Sequence, residues 1–307
     1  MTCMHQSALF LSNAGHIKRL RAALRDFLLT HHRPWANGEP ELRVAMFHMG
    51  RSGSTVLGQM LSAQGEIFWA GEIFEDMQNR YSELMRKPDV INNILSRSLK
   101  EPGSLRALIR RDDYPKSYRV YGLETKYLRQ QHLSGNALNT SLTDYVALLE
   151  RNAFTRFIVL RRRNHLRMLV SRAVGRTTGT WHSRATSTAP ERVVLPILDW
   201  FWNGWKGTLV ELLRDLDAQH AELVRLLDGR SVLHLGYEEH IGADPTVAYR
   251  AVCNFLDLPA TPVPVRLKKT NPFPLSESVQ NWDEVVDVLS GTEYAWMLTD
   301  EIPPPAA

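Results

Sequence analysis

The sequence predicts an α/β protein with a central parallel sheet flanked by helices. Three observations carry that reading. Short, mostly apolar runs that suit buried strands recur at 42–49, 118–123, 156–160 and 231–235. Stretches of helical period separate them, notably 143–151 and 195–227. The first and third runs end in a polar turn that opens at once into a helix, the strand–turn–helix order of parallel α/β units.

The chain of 307 residues has 44% hydrophobic and 23% charged residues, which excludes disordered and fibrous classes. No window approaches the roughly 18 uncharged apolar residues of a membrane span. Two cysteines, Cys3 and Cys253, are too few for a disulfide framework or a structural zinc site. The first twelve residues lack the basic lead and cleavage site of a secretory signal, so a cytoplasmic location is the expectation.

Taken in order, residues 15–32 read as an amphipathic helix. Ile17, Leu20, Leu24, Phe27 and Leu28 lie on one face, with Lys18, Arg19, Arg21 and Arg25 opposite. Packing against the main domain is its expected role, and peripheral membrane contact is the alternative. A turn-rich linker, 33–40, follows. The expected organisation is an N-terminal helix and linker at 1–41, one domain at 42–298 and a disordered tail at 299–307. Within the domain, 175–190 is rich in Thr, Ser, Gly and Arg and reads as a long loop.

The net charge of +4 is unevenly distributed. Residues 151–190 hold nine arginines (151, 156, 161, 162, 163, 167, 172, 176 and 184) and no Asp or Glu, which leaves the remainder at +4 − 9 = −5. Arg suits bidentate gripping of phosphate or sulfate, so the cluster points to an anionic ligand at one site. A solvated basic face or a nucleic-acid surface is the alternative.

The turn after the first strand is Gly50-Arg51-Ser52-Gly53-Ser54-Thr55. A strand that turns through glycine into a helix gathers free backbone N–H groups at the positive end of the helix dipole, a cradle for phosphate. Arg51 adds a permanent charge there, and Ser52, Ser54 and Thr55 add hydroxyls. The ATP-binding pattern GxxxxGK[ST] is not met, because no Lys follows the second glycine and the glycines are too close. No acidic ligand for a nucleotide-bound magnesium stands out, and no metal is expected.

These residues resemble the sulfotransferases that use 3′-phosphoadenosine 5′-phosphosulfate (PAPS). Arg51-Ser52-Gly53-Ser54-Thr55 is similar to that family's 5′-phosphosulfate loop. Arg163-Asn164-His165, with Ser171 eight residues after Arg163, resembles its 3′-phosphate segment. The run Val232 to Glu239, with Pro245, Phe255 and Leu256 downstream, resembles its third landmark, where Tyr237 would lie near the adenine. The three landmarks span about residues 42–258 in order. The resemblance implies a P-loop-like nucleotide-binding core with helical insertions and PAPS as co-substrate. It implies Arg51 beside the leaving phosphate and Glu72, in Phe68-Trp69-Ala70-Gly71-Glu72, as general base. Glu75 and Asp76 are nearby alternatives, and His182 is the rival base or an acceptor contact. Lys126 is a further candidate for lining the acceptor site, and Lys268-Lys269-Thr270 a candidate for closing over the 3′-phosphate.

A glutamate base and the Arg161-Arg162-Arg163-Asn164-His165-Leu166 pattern look most like bacterial carbohydrate or glycolipid sulfotransferases of the nodulation-factor type. A sugar hydroxyl is therefore the expected acceptor, with tyrosyl peptides and small hydroxylated metabolites as the other classes. The aromatic run Trp200-Phe201-Trp202-Asn203-Gly204-Trp205 would stack on sugar or pack in the core. The competing readings are a P-loop-like kinase, which requires ATP and magnesium, and a non-catalytic binder of polyanions or RNA, whose affinity would fall steeply with salt.

Overall fold

The centre of the sheet is β1, Leu42–His48, whose residues from Val44 onward are all buried. In the computed structural model, residues 40–74, 92, 95, 118–133, 138–183, 185 and 188–299 are described. The expected helix at 15–32, Glu75, Asp76 and the tail beyond Thr299 lie outside them. The chain divides into two units, and every element below belongs to the larger, Pro40–Asn93 with Tyr118–Ala307.

β2 (Ile67–Trp69), β3 (Val120–Lys126), β4 (Arg156–Arg161) and β7 (Ser231–Gly236) join β1 in one sheet of order β2-β3-β1-β4-β7. Every pairing is parallel; Val44, for example, lies opposite Gly122 on β3 and Arg156 on β4. Strand alternation sends Val44 and Met46 to one face, where they meet Leu57, Met60 and Leu61 of α1 (Ser54–Ser62). Ala248, Tyr249, Val252 and Cys253, from the helix Pro245–Phe255, complete that layer. Phe47 faces the other way, edge-on to Tyr145 of α2 (Leu142–Arg151) and stacked on Phe157. Both faces of β1, β3 and β4 are covered, which is why these strands read as largely apolar runs, while the edge strand β7 is only partly buried.

The chain runs from β1 to β2 on one side, returns through β3, and then crosses to β4 on the other side of β1, so the strand order reverses about β1. A crevice opens outside the carboxyl ends of the strands at such a switch point, and ligands of open α/β sheets bind there. The turn 49–53, the end of β3 and the start of α3 (His165–Thr178) all lie at that edge.

Two expectations about secondary structure are corrected. Residues 195–227 are not helical throughout. β5 (Trp200–Trp202) and β6 (Trp205–Gly207) form an antiparallel hairpin before α4, Leu209–Leu226. Its turn is Asn203-Gly204, both at positive φ (44° and 89°), the geometry that an Asn-Gly pair adopts most readily. Helix α4 starts only where Thr208 and Glu211 cap each other's backbone. The loop expected from residue 175 starts later, because α3 continues to Thr178 and ends at Gly179 in the left-handed conformation.

A partly buried polar knot fastens α4 to the sheet. Asp217 accepts from Arg161 at the end of β4, from Tyr294 (3.1 Å), and pairs with His165 at 3.0 Å. Burial alone would raise the Asp217 pKa, but His165 and Arg161 hold it below the usual carboxylate range. Beside it, burial and then the charge of Arg161 depress His220 from 6.5 to about 3. The unfolded chain therefore takes up a proton on His220 between those values and the folded chain does not. Stability from this residue is present above about 6.5 and is lost as pH falls. In urea unfolding, His220→Gln is expected to lose about 1.4 kcal/mol less than the parent between pH 7.5 and 5.5. Equal losses would mean that His220 titrates normally.

Candidate active site

The turn after β1 is shaped by backbone that few residues adopt. Gly50, Arg51 and Gly53 all have positive φ (73°, 52° and 86°), which turns successive amides toward one concavity. Gly53 is constrained twice, since a Cβ there would come within 2.7 Å of Ile241 and 3.2 Å of the Tyr237 ring. Ser52 Oγ is buried with no hydrogen-bond partner among the described residues, an orphaned hydroxyl inside an anion-binding type of turn. Ser54 and Thr55 open α1 directly behind it.

Arg51 bridges three segments of the chain. Its Nε donates to Ser171 Oγ of α3 (3.0 Å), one terminal nitrogen donates to the Trp181 carbonyl (2.6 Å), and the other donates to Thr270 Oγ1 (2.8 Å). Burial, and then the charge of Arg162, lower its pKa to about 10, so it stays protonated at neutral pH. Arg162 donates to the Arg51 carbonyl (3.0 Å) and lies over the Tyr237 ring, 4.3 Å from its centroid. Two guanidiniums held close in a largely buried turn repel each other, and an anion between them would relieve that repulsion.

The structure thus brings Arg51, Ser52, Gly53, Ser171 and Tyr237 to one edge, and Thr270 with them. Arg163 is placed differently from its neighbour. Its backbone N–H donates to Glu238 and its side chain pairs with Glu239 at 2.8 Å. Arg162, which sequence reading counted only among nine arginines, is the one beside the turn. The arginine cluster is not a single field. Arg156 pairs with Asp257, Arg161 with Asp217, Arg167 donates to the Phe273 carbonyl and Arg172 stacks on Trp202.

Next to the turn lies a second, carboxylate-bearing group. The chain leaving β2 stays against β3, where the Glu124 N–H donates to the Gly71 carbonyl (2.9 Å), and this sets Glu72 beside the end of β3. Lys126 Nζ reaches Glu72 Oε2 at 2.7 Å, with His132 Nε2 at 3.6 Å from the same oxygen. His48 Nε2 lies 3.5 Å from Glu72 and 3.5 Å from Glu124. Lys126 packs against Gly50, so the carboxylate group and the turn share a wall. His182 is exposed, one residue past the Trp181 whose carbonyl Arg51 holds.

Glu124 is the residue here that sequence reading passed over. It is buried on β3, accepts from Trp69 Nε1 at 2.5 Å, and burial followed by the charge of Glu72 raises its pKa from 4.5 to about 8. Gly58 on α1 makes room for the pair, since a Cβ there would meet Glu124 at 2.5 Å and Trp69 at 2.9 Å. The available signal was an acid directly after the apolar run 118–123. Burial also depresses His48, to about 3.

His48, Glu72 and Glu124 are spaced as ligands to a cation could be, within 4.8 Å of one another. The imidazole argues against that use. Its Nδ1 accepts the Gly50 N–H (3.1 Å), so the neutral ring carries its hydrogen on Nε2, the atom that faces the carboxylates. A metal-bound imidazole instead donates from its other nitrogen, and here that nitrogen faces a donor.

No family model and no curated protein matches the chain. Among solved structures it is similar to the sulfotransferase domain from the Synechococcus PCC 7002 olefin synthase. The identity is 14%, the TM-score is 0.32, and the match covers 72% of this chain and 75% of that one. Among the described residues, no helix is long and apolar enough to cross a membrane.

Proposed function

We propose that the chain is a sulfotransferase that moves the sulfuryl group of PAPS to a hydroxyl of a carbohydrate or glycolipid. The observation that supports this most is the meeting of Arg51 with Ser171 at 3.0 Å. It joins the two strand–turn–helix junctions that a nucleotide with anionic groups at both ends requires.

The residues present suit such a substrate. The amides of 50–53 and the Ser52 hydroxyl would hold the phosphosulfate, and Ser171 the 3′-phosphate, with Arg163 joining it by exchanging Glu239 for the phosphate. The Tyr237 ring, backed by Arg162, offers a face for the adenine. Among the described residues, the hydrogen-bond acceptors that hold Arg51 are neutral, two hydroxyls and a carbonyl. Phosphate oxygens accept more strongly, so the guanidinium is available to exchange them.

In the reaction, the acceptor oxygen attacks sulfur, the bond from sulfur to the bridging phosphate oxygen breaks, and the hydroxyl proton passes to Glu72. The products are the sulfate ester and adenosine 3′,5′-bisphosphate. Arg51 stabilises the charge growing on the leaving oxygen without giving up a proton, since guanidinium is a poor acid. Lys126 keeps Glu72 ionised and oriented until the hydroxyl arrives.

Incubation with PAPS labelled in its sulfur and a panel of sugar, glycolipid, tyrosyl-peptide and phenolic acceptors tests this reading. Label is expected in a sugar or glycolipid product without added magnesium. Transfer of phosphate from ATP, and none from PAPS, would replace it with the kinase reading.

A further inference from the structure

Among the described residues, the hydrogen on His48 Nε2 has no hydrogen-bond partner, although the ring is completely buried. It points between two carboxyl groups, each 3.5 Å away and beyond hydrogen-bond length. Those carboxyls differ sharply in surroundings. The Glu72 side chain is 23% exposed and ion-paired with Lys126 at 2.7 Å, whereas that of Glu124 is 6% exposed and faces no cation as closely. Two carboxylates this near each other in a buried place cannot both stay ionised without cost, and a pair of this kind takes up one proton between them. The proton goes to the member that water and cations serve less well.

We propose that Glu72 and Glu124 share one proton that resides on Glu124, with the His48 Nε2–H aimed between them, so that Glu72 is kept as the ionised, proton-accepting member on the open side. This rests on the sulfotransferase reading only for the use made of Glu72. Glu124 and His48 are then positioning residues: they act on the base and do not touch the acceptor. The two strongest influences on Glu124, its burial and the charge of Glu72, act in the direction of the assignment. Glu72 repels a second charge, and the neutral His48 brings none. Trp69 and Ser54 donate to its carboxyl and, with the more distant charge of Lys126, favour its ionised form, but burial and the charge of Glu72 outweigh them; His132 lies 3.6 Å from Glu72. Neutral Glu124 in turn lowers the proton affinity of Glu72, which leaves that carboxylate ready at neutral pH.

Infrared difference spectra of the full chain, recorded between pH 6 and pH 10, test the proposal directly. The parent is expected to show the carbonyl stretch of a protonated carboxyl at pH 7 that disappears as the pH is raised. Glu124→Gln should lack this band. Glu72→Gln should keep it but lose it at lower pH, because the repelling charge is gone. Nitrogen NMR of the labelled parent should report a neutral His48 with its hydrogen on Nε2, which needs no variant to fold.

Absence of the band from the parent at pH 7, or its persistence in Glu124→Gln, would overturn the proposal. Stoichiometric zinc or manganese binding that Glu124→Gln abolishes would also overturn it and make the cluster a metal site. None of these readouts needs a sulfuryl donor or acceptor. Loss of the sulfotransferase reading with the band intact would leave the shared proton supported, and loss of the band alone would sink only this proposal.

Discussion

Glu72→Gln is expected to slow sulfuryl transfer by about 10²- to 10⁴-fold, the usual range for losing a positioned general base. Binding of the donor nucleotide should change little. Gln keeps the size and the hydrogen-bonding reach of the side chain but cannot accept the hydroxyl proton. The neighbouring Lys126, at 2.7 Å, then loses its counter-charge. Single-turnover transfer to the best acceptor, alongside the affinity for adenosine 3′,5′-bisphosphate, separates the two effects. If the rate is unchanged, Glu72 is not the base, and exposed His182 becomes the residue to vary.

Arg51→Ala should be comparably severe and should act on a different step. Removing one preorganised donor from a developing oxyanion costs about 10²- to 10³-fold in rate. Here the same side chain also ties α3, the Trp181 segment and the Thr270 segment together. Both rate and nucleotide affinity are therefore expected to fall. Arg51→Lys should recover part of the affinity through its charge, but a single ammonium cannot reproduce a planar fork with three acceptors. Full activity in the lysine variant would show that charge alone matters at this position, and full activity in the alanine variant would remove Arg51 from the site.

Much of the fold was legible because β1, β3 and β4 are largely buried on both faces, which writes most of each as an apolar run, while the partly buried β7 still shows through Val232, Leu233 and Leu235. β2 escaped because three residues carry no periodicity, and its place beside β3 is set by long-range pairing. The hairpin at 200–207 was missed for a different reason. Its strands are too short to alternate visibly, and the local Asn203-Gly204 signal was outweighed by the long helical period that follows. The turn at 50–55 could be read because its chemistry is contiguous in sequence. The carboxylate group could not, since His48 closes β1, Glu72 follows β2 and Glu124 lies within β3, and only the sheet order brings them together. Likewise, nothing in the run Arg161-Arg162-Arg163 says which arginine turns toward the glycine turn. Acids on other elements decide that, Asp217 taking Arg161 and Glu239 taking Arg163.

The central claim is that the turn after β1 and the start of α3 together hold a nucleotide carrying anionic groups at both ends. Calorimetric titration with adenosine 3′,5′-bisphosphate tests it most directly, with ATP–magnesium in parallel and Arg51→Ala and Arg163→Ala as controls. Micromolar binding of the bisphosphate, weakened in both variants and absent for ATP, is the predicted result. Binding of ATP–magnesium with no binding of the bisphosphate would contradict the account and make the chain a kinase-like nucleotide enzyme.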